Sequence, residues 1–287
     1  MAANYLDLYG IEIVPEEEFQ TRYKLSDILG EGGAGCVSAA TELSTGRQVA
    51  IKQISVCNSR EFDLTHIHDT VSEYECLRKL EPAAIVGVTK TYGLLAIHRP
   101  QYFGYVICLV MDIVHGSNLE EIFEEEGGLS PKLTNKLAAW LVRTVAAIHD
   151  QEVVHRDLQL HNILLSHEED PYLIDFGEGF DLSPGARVPA PTVLTELNAK
   201  FGRDGETRAS KGEVPCWKRR DVYDLGFILI QLVRERKNSV FWSQEEVDEY
   251  LGKYPQDKYT LLLKECLSFD PLLRPDSERL RQLAAQL

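Results

Sequence analysis

The run His155-Arg156-Asp157-Leu158-Gln159-Leu160-His161-Asn162 places a carboxylate and a carboxamide five positions apart. Asp157 can accept a proton from a hydroxyl nucleophile. Asn162 can offer an amide oxygen to a metal ion held by phosphates. The plainer reading is a loop Asp that caps a turn. Downstream, Leu173-Ile174-Asp175-Phe176-Gly177 is a short apolar strand that ends in a carboxylate. Mg2+ takes hard oxygen ligands, typically one or two carboxylates with phosphate oxygens, and Asp175 with Asn162 would supply the protein share. Upstream, Gly30, Gly32 and Gly35 in Gly30-Glu31-Gly32-Gly33-Ala34-Gly35-Cys36-Val37 let backbone N–H groups approach phosphates, although the pattern alone fits a structural turn equally well. Lys52 closes Val49-Ala50-Ile51-Lys52, 17 residues beyond Gly35. A strand-end Lys is ordinarily a solvated charge. In an alternating apolar strand it can instead point inward toward phosphates, and it then needs a carboxylate to hold it. Glu73, one helical turn before Leu77, is the candidate, and Glu75 falls on another side of that helix.

These groups need elements to carry them. Cys36–Ala40, a turn at Ser44-Thr45-Gly46, and Gln48–Ile54 read as a hairpin. A dinucleotide-binding fold would open a helix directly after the glycines, so the hairpin argues against one. Asp69–Leu80 reads as a helix with Val71, Tyr74, Leu77 and Leu80 on one face. From Tyr23 to Met111 the text is otherwise strand-like. After Gly116 it turns helical: Ser130-Pro131 opens a long amphipathic helix carrying Leu137, Leu141, Thr144, Val145 and Ile148, and Asp221–Val233 and Tyr259–Leu267 follow. The expected class is α+β and bilobal, with a β-rich lobe over 23–111, a connection at 112–118, and a mostly helical lobe over 119–287. Residues 1–22, with the acidic run Glu16–Glu18 and little periodicity, read as an N-terminal extension.

Composition narrows the partners. The chain has 287 residues, 44% hydrophobic and 26% charged, which suits a folded protein rather than a disordered one. Thirty Lys and Arg against 45 Asp and Glu give a net charge of −15. That disfavours a general nucleic-acid binder, which needs basic surface. The longest apolar runs, such as Tyr105–Met111, are too short to span a bilayer, and the first ten residues show no secretory signal. Six scattered cysteines form no C-x-x-C pair, so neither zinc nor a disulfide framework is expected. The expectation is an intracellular protein, cytoplasmic or also nuclear, without membrane or nucleic-acid partners.

In this order and spacing, the Gly-rich loop, Val49–Lys52, Glu73, His155–Asn162 and Asp175–Gly177 resemble the eukaryotic-type protein kinases. The resemblance covers roughly residues 23–285. Asp221-Val222-Tyr223-Asp224-Leu225-Gly226 is similar to the start of that family's central helix, and Asp270-Pro271-Leu272-Leu273-Arg274-Pro275 to an element near its end. The resemblance implies ATP and Mg2+ as cofactors. It implies Leu29, Val37, Ala50 and Leu164 around adenine, Met111 as gatekeeper, and Asp112 to Val114 as the hinge. Lys52, held by Glu73, would grip the α- and β-phosphates. Asn162 and Asp175 would hold the metal, and Asp157 would orient the acceptor hydroxyl. His155, Phe176 and Leu77 would stack in an internal spine. The implied substrate is a protein hydroxyl, Ser/Thr rather than Tyr.

The departures are specific. Ser/Thr kinases usually carry Lys where this chain has Gln159, and no A-P-E follows; the nearest text is Ala209–Glu213. Arg274, which normally pairs with the A-P-E glutamate, is left with Glu213 or with nothing. A small-molecule kinase on a related fold and an ATP-binding pseudokinase or scaffold are therefore the alternatives. The segment 178–213 holds Ser183, Thr192, Thr195, Thr207 and Ser210, and Arg156 stands where a loop phosphate could be received, with an ordinary surface loop as the competing reading. Lys211, Lys218, Arg219 and Arg220 form a basic cluster over 211–220 that fits an acidic partner or, more commonly, a solvated face. Cys36 reads as a small packing residue.

Overall fold

The computed structural model describes residues 6–32, 35–57, 61–99, 104–186, 217–234 and 243–287. The chain divides into two compact units, one holding residues 1–82, 88–115 and 175–180, the other 83–87, 116–174 and 181–287.

The first unit is a sheet of β1 (Glu12–Pro15), β2 (Tyr23–Gly32), β3 (Gly35–Glu42), β4 (Gln48–Cys57), β5 (Thr91–Arg99) and β6 (Gly104–Asp112), in the order β1-β5-β6-β4-β3-β2. All neighbours pair antiparallel except β1, which lies parallel to β5. Strand parity separates two apolar faces. Val49, Ile51, Leu95, Ile97, Val106, Cys108 and Val110 share one core with Val14 and with Phe19 of helix α1 (Glu16–Arg22). Ile54, Val56, Ala96 and Ile107 share the other with Ile67 and Val71 of helix α2 (Glu61–Leu80), and with Leu6 and Ile11. Both faces are covered, so Tyr105–Met111 reads as an unbroken apolar run rather than an alternation. The expected hairpin is present as β3 and β4. Gly35 has φ +155°, and a Cβ there would stand 2.1 Å from the Gln53 carbonyl, so only glycine fits that bend.

Helix α2 starts eight residues before the sequence pattern suggested. Its first two turns, Glu61–His68, are mostly polar and give no periodic signal. Leu77 and Leu80 are buried as expected, whereas Tyr74 is only half-buried, with the Arg78 guanidinium 5.6 Å from its ring centre. Residues 6–22, which looked like an extension, belong to the same unit as the sheet and contribute a strand and a helix to it.

In the second unit, β7 (Gly116–Asn118) leads into α3 (Leu119–Glu126), where Asn118 and Glu121 cap each other reciprocally. Helix α4 (Pro131–Asp150) begins as the sequence indicates: the Ser130 hydroxyl accepts the Leu133 N–H, and Pro131 occupies the first turn. Its buried stripe includes Leu137, Leu141, Thr144, Val145 and Ile148. It packs on α5 (Trp217–Arg234), while α6 (Gln244–Gly252), α7 (Thr260–Cys266) and α8 (Ser277–Ala284) complete the unit. Strand β8 (Val153–Val154) enters the loop 155–162, which leaves through β9 (Ile163–Ser166), paired antiparallel to β10 (Pro171–Leu173) and to β7.

Candidate active site

The candidate residues fall into two sets, one in each unit. In the first, parity decides the direction of Lys52. It shares its strand face with Ile54 and Val56, the face that α2 covers. Its Nζ donates to Glu73 Oε2 at 2.7 Å and to Asp175 Oδ1 at 2.8 Å. Glu73 is 2% exposed and also accepts the Phe176 backbone N–H. Burial alone would favour neutral lysine, but the two carboxylates outweigh it and hold the ammonium above its ordinary range. Burial pushes the Glu73 carboxyl up, Lys52 opposes that, and the Asp175 charge adds to it. Asp175 adopts φ +60°, a conformation that costs a non-glycine residue energy and that aims its carboxylate at Lys52.

Around this set, Ala50 is buried, Val37, Met111, Asp112 and Val114 are half-buried, and Leu29 is 42% exposed. Gly30 pairs with Val37, and Gly32 with Gly35, at the tip of the β2–β3 ribbon. Residues 33 and 34 lie outside the described residues. The Asp112 carboxylate is committed to its own sheet: Oδ2 accepts the Lys90 N–H at 2.9 Å and Oδ1 accepts the Tyr92 hydroxyl. Phe176 and Leu77 are both fully buried in this unit.

In the second unit the loop 155–162 hangs from Asp221 near the start of α5. Asp221 is fully buried. Its Oδ2 accepts the His155 N–H at 2.9 Å and lies 2.9 Å from His149 Nε2, while Oδ1 accepts the Arg156 N–H at 2.7 Å. Burial would raise its carboxyl, but these bonds outweigh that and hold it below the usual carboxylate range. His155 Nε2 lies 3.0 Å from the Ile174 carbonyl, and Nδ1 accepts the Asp157 N–H, which fixes the ring hydrogen on Nε2.

The Asp157 carboxylate is held at both oxygens. Asn162 Nδ2 donates to Oδ2 at 2.9 Å and to the Asp157 carbonyl at 2.8 Å, and Gln159 Nε2 donates to Oδ1. With its nitrogen so engaged, the Asn162 amide turns its oxygen away from Asp157. Leu164, on β9, is half-buried. A 270 Å³ cavity beside the loop is lined by Asp157, Gln159, His161, Arg220, Asp224 and Gln231 among others.

The remaining sequence candidates resolve unevenly. Arg156 is 4% exposed with its guanidinium 4.2 Å from the Trp217 ring centre, a cation–π geometry. Lys218 pairs with Glu152 at 2.8 Å, Arg220 with Asp224 at 2.8 Å, and Arg219 donates to the Arg274 carbonyl. Arg274 is 2% exposed and donates to the Ser268 and Arg219 carbonyls over the Tyr223 ring. Lys211, Glu213, Thr192, Thr195, Thr207 and Ser210 lie outside the described residues; Ser183 is within them, half-buried. Cys36 is a free, half-buried thiol. His149 is not legible in the sequence, because its role depends on a residue 72 positions away. Among the described residues, no helix is long and apolar enough to cross a membrane.

The serine/threonine-protein kinase PkaA of Streptomyces coelicolor is 29% identical over 282 residues, covering 91% of this chain and 49% of its own length. Serine/threonine-protein kinase PrkC of Bacillus subtilis is 26% identical over 217 residues, covering 75% and 31%. The phosphorylase b kinase gamma catalytic chain, liver/testis isoform, of Bos taurus is 25% identical, covering 93% and 66%. The chain thus spans about a third to a half of the length of the bacterial relatives. The family model for the protein kinase domain matches residues 23–284. With Lys52 paired to Glu73 and Asp175, and Asp157 held by Asn162, the chain belongs to the protein kinase domain family.

Proposed function

We propose that the chain is an ATP- and Mg2+-dependent protein kinase that transfers the γ-phosphate to a protein hydroxyl, Ser/Thr rather than Tyr. The observation that carries the reading is the charge set Lys52–Glu73–Asp175, complete at 2.7 and 2.8 Å. Phosphoryl transfer asks the protein for positioning and charge neutralisation more than for covalent chemistry. Lys52, kept protonated, binds the α- and β-phosphates. Asp157 orients the acceptor hydroxyl and takes its proton as the hydroxyl oxygen bonds to the γ-phosphorus and the bond to the bridging β–γ oxygen of ATP breaks, releasing ADP.

The donor chemistry fits Mg2+. Asp175 offers a carboxylate, and Asn162, its nitrogen already bonded to Asp157, offers an amide oxygen; both are hard donors. When bound, the ion would neutralise phosphate charge. Leu29, Gly30, Gly32, Gly35, Val37, Ala50, Met111, Asp112, Val114 and Leu164 are assigned to the nucleotide. Tyr92 and Lys90 engage the Asp112 side chain, and its N–H donates to the Lys90 carbonyl, so its backbone carbonyl is the group assigned to adenine. Residues 23–111, 112–118 and 119–287 are read as lobe, hinge and lobe, a reading supported by the division between His115 and Gly116. Scattered cysteines without a C-x-x-C pair support an intracellular site of action, cytoplasmic or also nuclear. An acidic partner at 211–220 is not part of the proposal, because Lys218, Arg219 and Arg220 have intrachain roles.

The second reading is a small-molecule kinase, favoured by the neutral Gln159 on Asp157. Radiolabelled ATP offered with protein, peptide and small-hydroxyl acceptors separates the readings. Label on protein Ser/Thr is the expected result. Label on small hydroxyls alone moves the second reading ahead, and nucleotide binding without transfer identifies a pseudokinase.

A further inference from the structure

Helix α2 carries Glu73, and what holds that helix in place is not confined to the sheet. Ile67 and Val71, one turn apart, form one of its buried stripes; Thr70, Glu73 and Leu77 form the neighbouring one. The second stripe faces Lys52. The first is buried in a cluster that includes Leu6 and Ile11, at 0% and 8% exposure, with Tyr9 packed against it. Ile54, Val56, Ala96 and Ile107 supply the sheet side of that cluster. Leu6 and Ile11 thus join the helix to the sheet beside the stripe that carries Glu73.

The segment is fastened locally. Ile11 N–H donates to the Leu6 carbonyl at 2.9 Å and Gly10 N–H to the Asp7 carbonyl at 3.0 Å, closing a turn that Gly10 permits with φ +64°. Directly beyond it, β1 pairs with β5 from Glu12 opposite Leu95 to Pro15 opposite His98. Arg22 ties the β1 end to α1 through Glu12 and Glu18, and Arg99 bonds Glu16. The plug therefore hangs from an independently anchored strand.

We propose that Leu6 and Ile11 are positioning residues for phosphoryl transfer, an N-terminal apolar plug that seats α2 so that Glu73 reaches Lys52. A tightly packed interface shifts between discrete arrangements rather than deforming smoothly. Emptying the plug lets α2 rotate or withdraw, and the 2.7 Å Lys52–Glu73 pair is the contact that such a movement breaks. The kinetic half of the test rests on the kinase reading above; the exchange half does not.

The test uses the full chain and the double variant Leu6→Ser/Ile11→Ser. The expected result is a loss of about tenfold or more in kcat/KM, together with faster hydrogen exchange of the α2 amides over 66–80, while the β4–β6 amides keep their protection. Placed on a Glu73→Gln background, the same double variant should cost nothing further, because both changes act through one contact. General destabilisation would instead add its full loss on that background, and that outcome overturns the proposal. So does unchanged α2 exchange. Leu6→Met/Ile11→Val should restore both readouts. Ile13→Ser, at a 42% exposed position on β1, should move neither. If the double variant does not fold, Leu6→Ala alone carries the same cycle. If the unaltered chain transfers no phosphate, the kinase reading fails and α2 exchange still decides the plug.

Discussion

The two sets of site residues are held by different physics. Lys52, Glu73 and Asp175 are joined by charge, between partners 21 and 123 positions apart that sit on a strand, a helix and a loop. Asp157 is held by neutral amides from Gln159 and Asn162, two and five positions along the same loop. The first arrangement exists only when three separate elements converge, so it can be switched by moving any one of them. The second is largely local, and its long-range holds include Asp221 and the Ile174 carbonyl. On the reading proposed above, a regulator would act on the charge set, and the acceptor would be met by the loop.

The contrast can be broken from the loop side first. Asp157→Asn should reduce phosphoryl transfer by more than about a hundredfold while changing ATP affinity by less than about twofold, read by turnover and by calorimetry. A loss below about tenfold, or about 1.4 kcal/mol of barrier, is too small for the residue that takes the proton. From the other side, Asp175→Ala should leave basal ATP binding but remove most of the tightening that Mg2+ produces. Titrations with and without Mg2+ would show it, and an unchanged Mg2+ response would place the ion elsewhere.

A smaller effect sharpens the role of the amides. Gln159→Ala removes one of the two side-chain donors on the Asp157 carboxylate and should lower kcat by about tenfold, with the peptide KM little altered. Gln159→Lys restores a donor and adds a unit charge near the transferring group, so its kcat should equal or exceed that of the parent, by up to about tenfold. Loss of activity in the lysine variant would show that the loop needs a neutral donor, and the small-molecule reading would gain.

The smallest expected effect concerns Asp224, beside Arg220 and facing the same cavity as Gln159. Burial pushes its carboxyl up to about 7 from 3.8, Arg220 and Arg274 oppose this, and Asp221 reinforces it. The folded state therefore binds the proton more tightly than the unfolded chain. That contribution to stability is complete below about pH 4 and is lost as pH rises through 7. Between pH 5 and pH 8 the unaltered chain should lose a few degrees of Tm, about 2–4 °C, relative to Asp224→Asn, which cannot titrate there. Parallel curves for the two proteins would place the carboxyl in its ordinary range.

What the sequence disclosed follows the same division. Asp157, Asn162 and Asp175 were legible because short spacing fixes their chemistry, and the β3–β4 hairpin because strand parity and a glycine turn are local. The Lys52–Glu73 pair could be named only by asking which helix face must meet the strand. The first turns of α2 and the burial of Leu6 were not legible: Glu61–His68 is mostly polar, and Leu6 and Ile11 are apolar for the sake of strands 40 to 100 residues away. The uses of Arg156 and Arg274 were obscure for the same reason. Arg156 lies over the Trp217 ring, and Arg274 over the Tyr223 ring with the Ser268 carbonyl as acceptor, partners that no sequence spacing announces.

Asp221 also imposes an order in time. It accepts the backbone N–H groups of His155 and Arg156, which precede it by 66 and 65 residues. At ribosomal rates of about 5–20 residues per second, those N–H groups are synthesised roughly 3–13 s before their acceptor. A nascent chain that stops short of α5 already contains Asp157, Gln159 and Asn162, and their mutual amide bonds can form, yet the carboxylate from which their loop hangs does not exist. The loop 155–162 is therefore a late product of translation, completed only when α5 emerges and docks on α4.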